Sequence, residues 1–139
     1  MNLVIDRTLD DVIQCNAKGQ YGFEDLNRVE QAVDELQKVV RSLGVEYTAQ
    51  VKTDWALPGV FSADQWPTEL QMQRYLGNVT RLCEAVEVSA NVPASMEKLD
   101  WQGANKIEEA LQLVYMRIQN ILAVLRYSGE FYSGEENVI

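Results

Sequence analysis

The 139-residue chain contains no histidine. Every arrangement that needs an imidazole is thereby excluded, from Ser-His-Asp and Cys-His nucleophiles to Glu-x-x-His di-metal bundles and the zinc protease and deaminase motifs. Cysteine is scarce, with only Cys15 and Cys83, in neither a CxxC nor a His-bearing pattern. The expectation is two reduced thiols, Cys83 on an apolar helical stripe and Cys15 near the end of a short helix, without a metal site or disulfide framework. GxGxxG and GxxxxGK[ST] are missing, and with them the familiar phosphate cradles. No cofactor and no metal are expected. Long hydrophobic runs are absent too: nothing crosses a bilayer, and residues 1–17 lack the basic and apolar regions of a signal peptide. The reading is synthesis in the cytoplasm without export. Basic residues are few, 12 against 21 acidic, for a net charge of -9. That balance repels a phosphate backbone and an anionic leaflet, so nucleic acid and membrane are not expected as partners.

What the chain does have is helical periodicity. With 47% apolar residues it can bury one core, read as a single all-α domain over 1–139. Its longest unbroken pattern lies between Gly103 and Arg126. There Ile107, Ala110, Leu111, Val114, Ile118, Ile121, Leu122 and Leu125 recur at steps of three and four, one stripe that must be covered. Leu26, Val29, Val33, Leu36, Val40 and Leu43 form a second seam, closed by Gly44. Met72, Tyr75, Leu76, Val79, Leu82, Cys83 and Val86 form a third face. Start signals agree: Thr8 with Asp11 and Thr68 with Gln71 read as capping boxes, Gly22 and Asp100 as caps. These patterns predict a small bundle of about four helices, near 8–17, 23–43, 68–87 and 101–126. Gly103, in a first turn, suggests either a close backbone approach or a tolerated weakness.

Between the second and third helices the period changes. Val45, Tyr47, Ala49 and Val51 alternate with Glu46, Thr48 and Gln50, which reads as an extended segment, either paired into a sheet or packed on the bundle. An aromatic loop follows, with Trp55, Phe61 and Trp66 around the turn at Pro58-Gly59. At the C-terminus, Tyr127-Ser128-Gly129-Glu130 and Tyr132-Ser133-Gly134-Glu135 repeat a word around Phe131. Gly129 and Gly134 predict a break in the helix and an extended tail over 127–139, folded back on the bundle or docked on another chain. The candidate partner-binding residues are therefore Trp55, Phe61, Trp66, Tyr127, Phe131 and Tyr132, since exposed aromatics favour interfaces. No catalytic residue is nominated. The acidic pairs Asp10-Asp11, Glu24-Asp25, Glu108-Glu109 and Glu135-Glu136 point about 100° apart on a helix and read as solvated faces and helix starts.

Six spaced words run through the chain in order: Asp6-Arg7-Thr8, Asp25-Leu26-Asn27-Arg28-Val29-Glu30, Lys52-Thr53-Asp54-Trp55, Gln73-Arg74-Tyr75-Leu76, Ala104-Asn105-Lys106-Ile107-Glu108 and Tyr127-Ser128-Gly129-Glu130. Together they resemble a family encoded in the tail and structural gene modules of phages and prophages of Gram-positive bacteria (Firmicutes). The chain departs from that family's pattern between the first two helices, where relatives carry a longer Trp-containing insertion, and at Gly103, where an acidic residue is more usual. The resemblance implies a virion-associated structural or adaptor domain of a tail or baseplate. Such a domain is not an enzyme; it acts by contacts with other tail or baseplate proteins, and homo-oligomerisation is compatible with it. The family supplies no active residues to carry over. Asn27, Arg28 and Asp54 lie beside apolar faces and suggest a buried polar network. An alternative reading is a soluble acidic phage-encoded regulator or inhibitor that binds a basic host protein. An enzyme would need a convergent pocket of carboxylates.

Overall fold

The seam from Leu26 to Val40 is buried at every apolar position, with Val29 and Val40 fully enclosed. It lies on α2, Phe23–Ser42, which meets α3, Glu69–Ala85, and α4, Trp101–Val138. α3 and α4 also pack on each other, so three helices enclose one core around Leu36, Tyr75, Leu82, Ile107 and Leu111. A short first helix α1, Leu9–Ile13, and a 3-10 turn, Ala17–Gly19, precede them. The computed structural model describes residues 3–19, 21–55 and 67–138, with the side chains of 17 and 126–138 outside that set. Among the described residues there is no strand, and the fold is an all-α bundle.

The expected starts are formed. Thr8 Oγ1 accepts the Asp11 amide while Asp11 Oδ2 accepts the Thr8 amide at 2.9 Å, and Thr68 and Gln71 repeat the exchange at α3. Two orphan donors are satisfied at each end. Asp25 Oδ2 accepts the Gly22 amide at 2.8 Å, and Asp100 Oδ1 accepts that of Gly103 at 2.7 Å. Gly44, with φ of +89°, follows α2 in the left-handed conformation that glycine adopts without a Cβ penalty. Gly103 is a close approach: a Cβ there would lie 3.0 Å from Leu99 Cδ1.

Two boundaries differ from the sequence reading. α1 stops at Ile13 rather than near residue 17, because Cys15 turns left-handed (φ 51°) and Asn16 bends back to Asp11 Oδ1 at 2.8 Å. It buries none of its own residues. α4 does not end near Arg126 but continues to Val138, so 127–138 is helical rather than the extended tail that its glycines predict. Each interior glycine costs only about 1 kcal/mol against alanine, and a helix already nucleated adds one hydrogen bond per residue. The stripe of α4 is also only half covered. Ile107, Ala110, Leu111, Val114 and Ile118 are buried, whereas Leu122 and Leu125 are 39% and 54% exposed.

The segment 45–51 packs on the bundle as extended chain, and helix side chains take the place of a neighbouring strand. Ala49 donates its amide to Gln37 Oε1 at 2.8 Å, and the Gln50 carbonyl accepts from Asn78 Nδ2 at 2.8 Å and from Arg74 Nη1. Tyr47 turns inward and donates its hydroxyl to the Asn78 carbonyl at 2.7 Å. Buried backbone polar groups need partners, and α2 and α3 supply them as amides and a guanidinium.

Candidate functional site

Charged side chains on the buried faces of α2 and α4 are the most distinctive chemistry in the fold. Glu108 lies four residues after Ala104 and three before Leu111, inside the apolar stripe, and is fully buried. Its Oε2 accepts from Arg7 Nη2 at 2.6 Å and Arg28 Nη2 at 2.9 Å; its Oε1 accepts from Arg28 Nε at 2.6 Å and the Val4 amide at 3.0 Å. Asp25 Oδ1 accepts from the same two guanidiniums, with Arg7 Nη2 at 3.1 Å. Two cations and two anions thus close on themselves, and the desolvation cost of each is offset chiefly by the others. Asn105 completes the cluster. Its side chain accepts the Arg7 amide and donates to the Arg7 carbonyl, each at 3.0 Å, pinning the N-terminal arm to α4.

The carboxylates of Glu108 and Asp25, hydrogen-bonded to its guanidinium, raise the pKa of Arg28. Arg7 stands 5.4 Å from the centroid of the Tyr21 ring, while its Nε is the one buried side-chain nitrogen or oxygen among the described residues without a hydrogen bond. The Tyr21 and Tyr75 hydroxyls bond to each other, and burial raises both phenols above the usual tyrosine range.

A second cluster centres on Glu30, four residues after Leu26 and again inside the seam. Its Oε1 accepts from Arg74 Nη1 at 2.6 Å and the Lys52 amide at 3.1 Å, and its Oε2 accepts the Trp55 indole N–H. Asn27 brackets the Trp55 backbone, accepting its amide at 2.8 Å and donating to its carbonyl at 3.0 Å. Trp55 stacks on Phe23 with ring centroids 6.5 Å apart, and Lys52 Nζ lies 4.7 Å over its ring. The start of the aromatic loop is held at its backbone, its indole N–H and its ring.

These contacts decide the place of each nominated residue. Trp55 is 2% exposed and committed within the chain, so it is a core residue rather than a partner contact. Phe61 and Trp66 lie outside the described residues. Tyr127, Phe131 and Tyr132 lie on the backbone of α4, and their side chains are outside the described set. Of the polar residues expected to form a network, Asn27 and Arg28 do so, in different clusters, whereas the Asp54 side chain is 60% exposed and, among the described residues, pairs with Lys52 at 3.9 Å. The acidic pairs divide: Asp25 and Glu108 are buried, while Glu24 and Glu109 are exposed.

Arg7, Glu30, Arg74 and Glu108 were not nominated as a site. For Glu30 and Glu108 the signal is an acid at a three- or four-residue step within an apolar stripe, where a surface acid does not belong; Arg7, in the arm before α1, and Arg74, off the apolar face of α3, carry no such local signal. The first five of the six spaced words supply Arg7, Asp25, Asn27, Arg28, Glu30, Lys52, Trp55, Arg74, Tyr75, Asn105 and Glu108, and the fold gathers them into these clusters and the Tyr21–Tyr75 contact.

Chemically, the clusters are closed. Each buried carboxylate is held by at least one guanidinium, and among the described residues no group of three His, Cys, Asp or Glu is placed to hold a metal. An open recess of about 630 Å³ between α3 and the following connector is lined by Thr68, Met72, Leu76 and Met96, with Glu69 and Glu97 the ionisable groups among its described residues. No helix among the described residues is long and apolar enough to cross a membrane. No protein family, no curated protein and no solved structure matches the chain.

Proposed function

We propose that the protein is a non-enzymatic structural or adaptor domain of a phage or prophage tail or baseplate that works through protein–protein contacts. The observation that carries the contact role is the division of its surface chemistry. The buried ionisable groups hold the arm, the extended segment and the Trp55 turn to the bundle, whereas Tyr115, Met116, Leu122, Val124 and Leu125 of α4 are left facing out. Exposed apolar surface on one element marks an interaction site more often than solvent-facing packing. The phage setting rests on the resemblance of the six spaced words.

The test is mass spectrometry of purified particles from an induced culture of the source strain, cross-linked before digestion. Stoichiometric recovery, with cross-links to a tail or baseplate neighbour, is the expected result. Recovery only in the soluble fraction overturns the virion reading. The net charge of -9 then directs the search to a basic host protein captured by an acidic regulator.

A further inference from the structure

Between Leu113 and Leu125, α4 reads LVYMRIQNILAVL, in which only Arg117, Gln119 and Asn120 are polar. A helix apolar on all sides is a buried helix. Here it is not buried throughout: among the side chains described, Ile118, at 2% exposure, is the last that is buried and Ile121 is half-buried, while Met116, Val124 and Leu125 stand 52%, 64% and 54% exposed. Ile121 and Leu125 continue the steps of four and three that run through Ile107, Leu111, Val114 and Ile118. Past Ile118 the seam goes on, and among the described residues its side chains are only half-buried or exposed.

We propose that this segment of α4 packs against the same segment of a second copy of the chain, forming a homodimer through a helix pair. Two observations choose that occupant. The first is charge. The chain carries -9 overall, yet Leu113 to Leu125 contains no acidic residue, and its single cation, Arg117, donates Nε to the Val86 carbonyl at 3.3 Å. A twofold interface is its own complement, so two acidic molecules meet without a like-charge clash only where neither carries its acids. A basic partner is drawn instead to the acidic surfaces elsewhere. The second is spacing. Apolar positions alternating by three and four make the seven-residue pattern in which one helix receives the knobs of an identical one, and the intramolecular core already uses the first half of that seam.

The experiment is sedimentation equilibrium of the full chain at about 100 µM, where a dimer of micromolar affinity is formed. The expected result is twice the chain mass of 15.8 kDa, retained at high salt because the contact is apolar. Leu122→Glu with Leu125→Glu introduces acids into the seam and reduces dimer affinity on the order of 100-fold. Leu125→Lys alone, at a seam position already 54% exposed, also weakens it, and covers the case in which the double variant fails to fold. A wild-type mass of one chain overturns the proposal, as does a dimer that both folded variants leave unchanged. Neither outcome bears on association with particles, so this inference and the proposed function fail separately.

Discussion

Replacing Glu108 by glutamine tests the account of the interior most directly, because the substitution keeps the shape and removes the charge. Glu108 accepts four hydrogen bonds, three of them from Arg7 and Arg28, whose side chains are 2% and 23% exposed. A glutamine presents one acceptor oxygen and turns an NH2 group toward a guanidinium, donor against donor. One carboxylate, Asp25, then faces two cations. Removing one partner of a buried ion pair costs about 3–5 kcal/mol, because the remaining charge stays desolvated. Glutamine retains part of the hydrogen bonding, so the expected loss is about 3 kcal/mol. For a chain of this length that corresponds to a fall in Tm of roughly 10 °C.

The assay is urea and thermal unfolding followed by far-UV circular dichroism, with Lys38→Ala as control. The Lys38–Asp34 pair is of the exposed i,i+4 kind, its lysine side chain 66% exposed, and its loss is expected to stay within about 0.5 kcal/mol. The single changes Arg28→Met and Glu108→Met, with their joint change, form a cycle of their own. The joint change is expected to cost less than the sum of the single changes, since neither charge is then left against a missing partner. An E108Q loss no larger than that of the control, or strict additivity in the cycle, refutes the claim that the two helices are coupled through this cluster.

Gln37→Ala removes the acceptor of the buried Ala49 amide and is expected to cost about 1–3 kcal/mol by urea unfolding, more than truncation of an exposed glutamine such as Gln102. Glu87 follows α3 with φ of +58°, a conformation that penalises a Cβ, so Glu87→Gly is expected to stabilise by about 0.5–1 kcal/mol despite the added freedom of the unfolded chain. Burial pushes the Cys83 thiol up to about 11 and the Tyr47 phenol up to about 12, from 9.0 and 10.0 in an unfolded chain. The unfolded state releases these protons first, so their contribution is fully present below about pH 9 and is lost as pH rises through 11 to 12. A urea midpoint that stays level between pH 8 and pH 11 contradicts this.

Local chemistry determined the helices by itself. The spacing of apolar residues placed α2, α3 and the first half of α4, and the Thr8 and Thr68 boxes marked the starts of α1 and α3 within a residue or two, because periodicity and capping act over three or four residues. Tertiary structure decided the rest. Whether 45–51 became a strand turned on a partner, and the partners were the side chains of Gln37, Asn78 and Arg74, far along the chain and silent as a local pattern. Whether Asp25, Glu30 and Glu108 were solvated or buried turned on the arginines that meet them. The sequence words held those residues, but only packing brought Arg7 to Glu108 and Arg74 to Glu30. The end of α4 was the same kind of question. Glycine lowers helix propensity by about 1 kcal/mol, a weak local signal that the continuing backbone hydrogen bonds of an established helix outweigh.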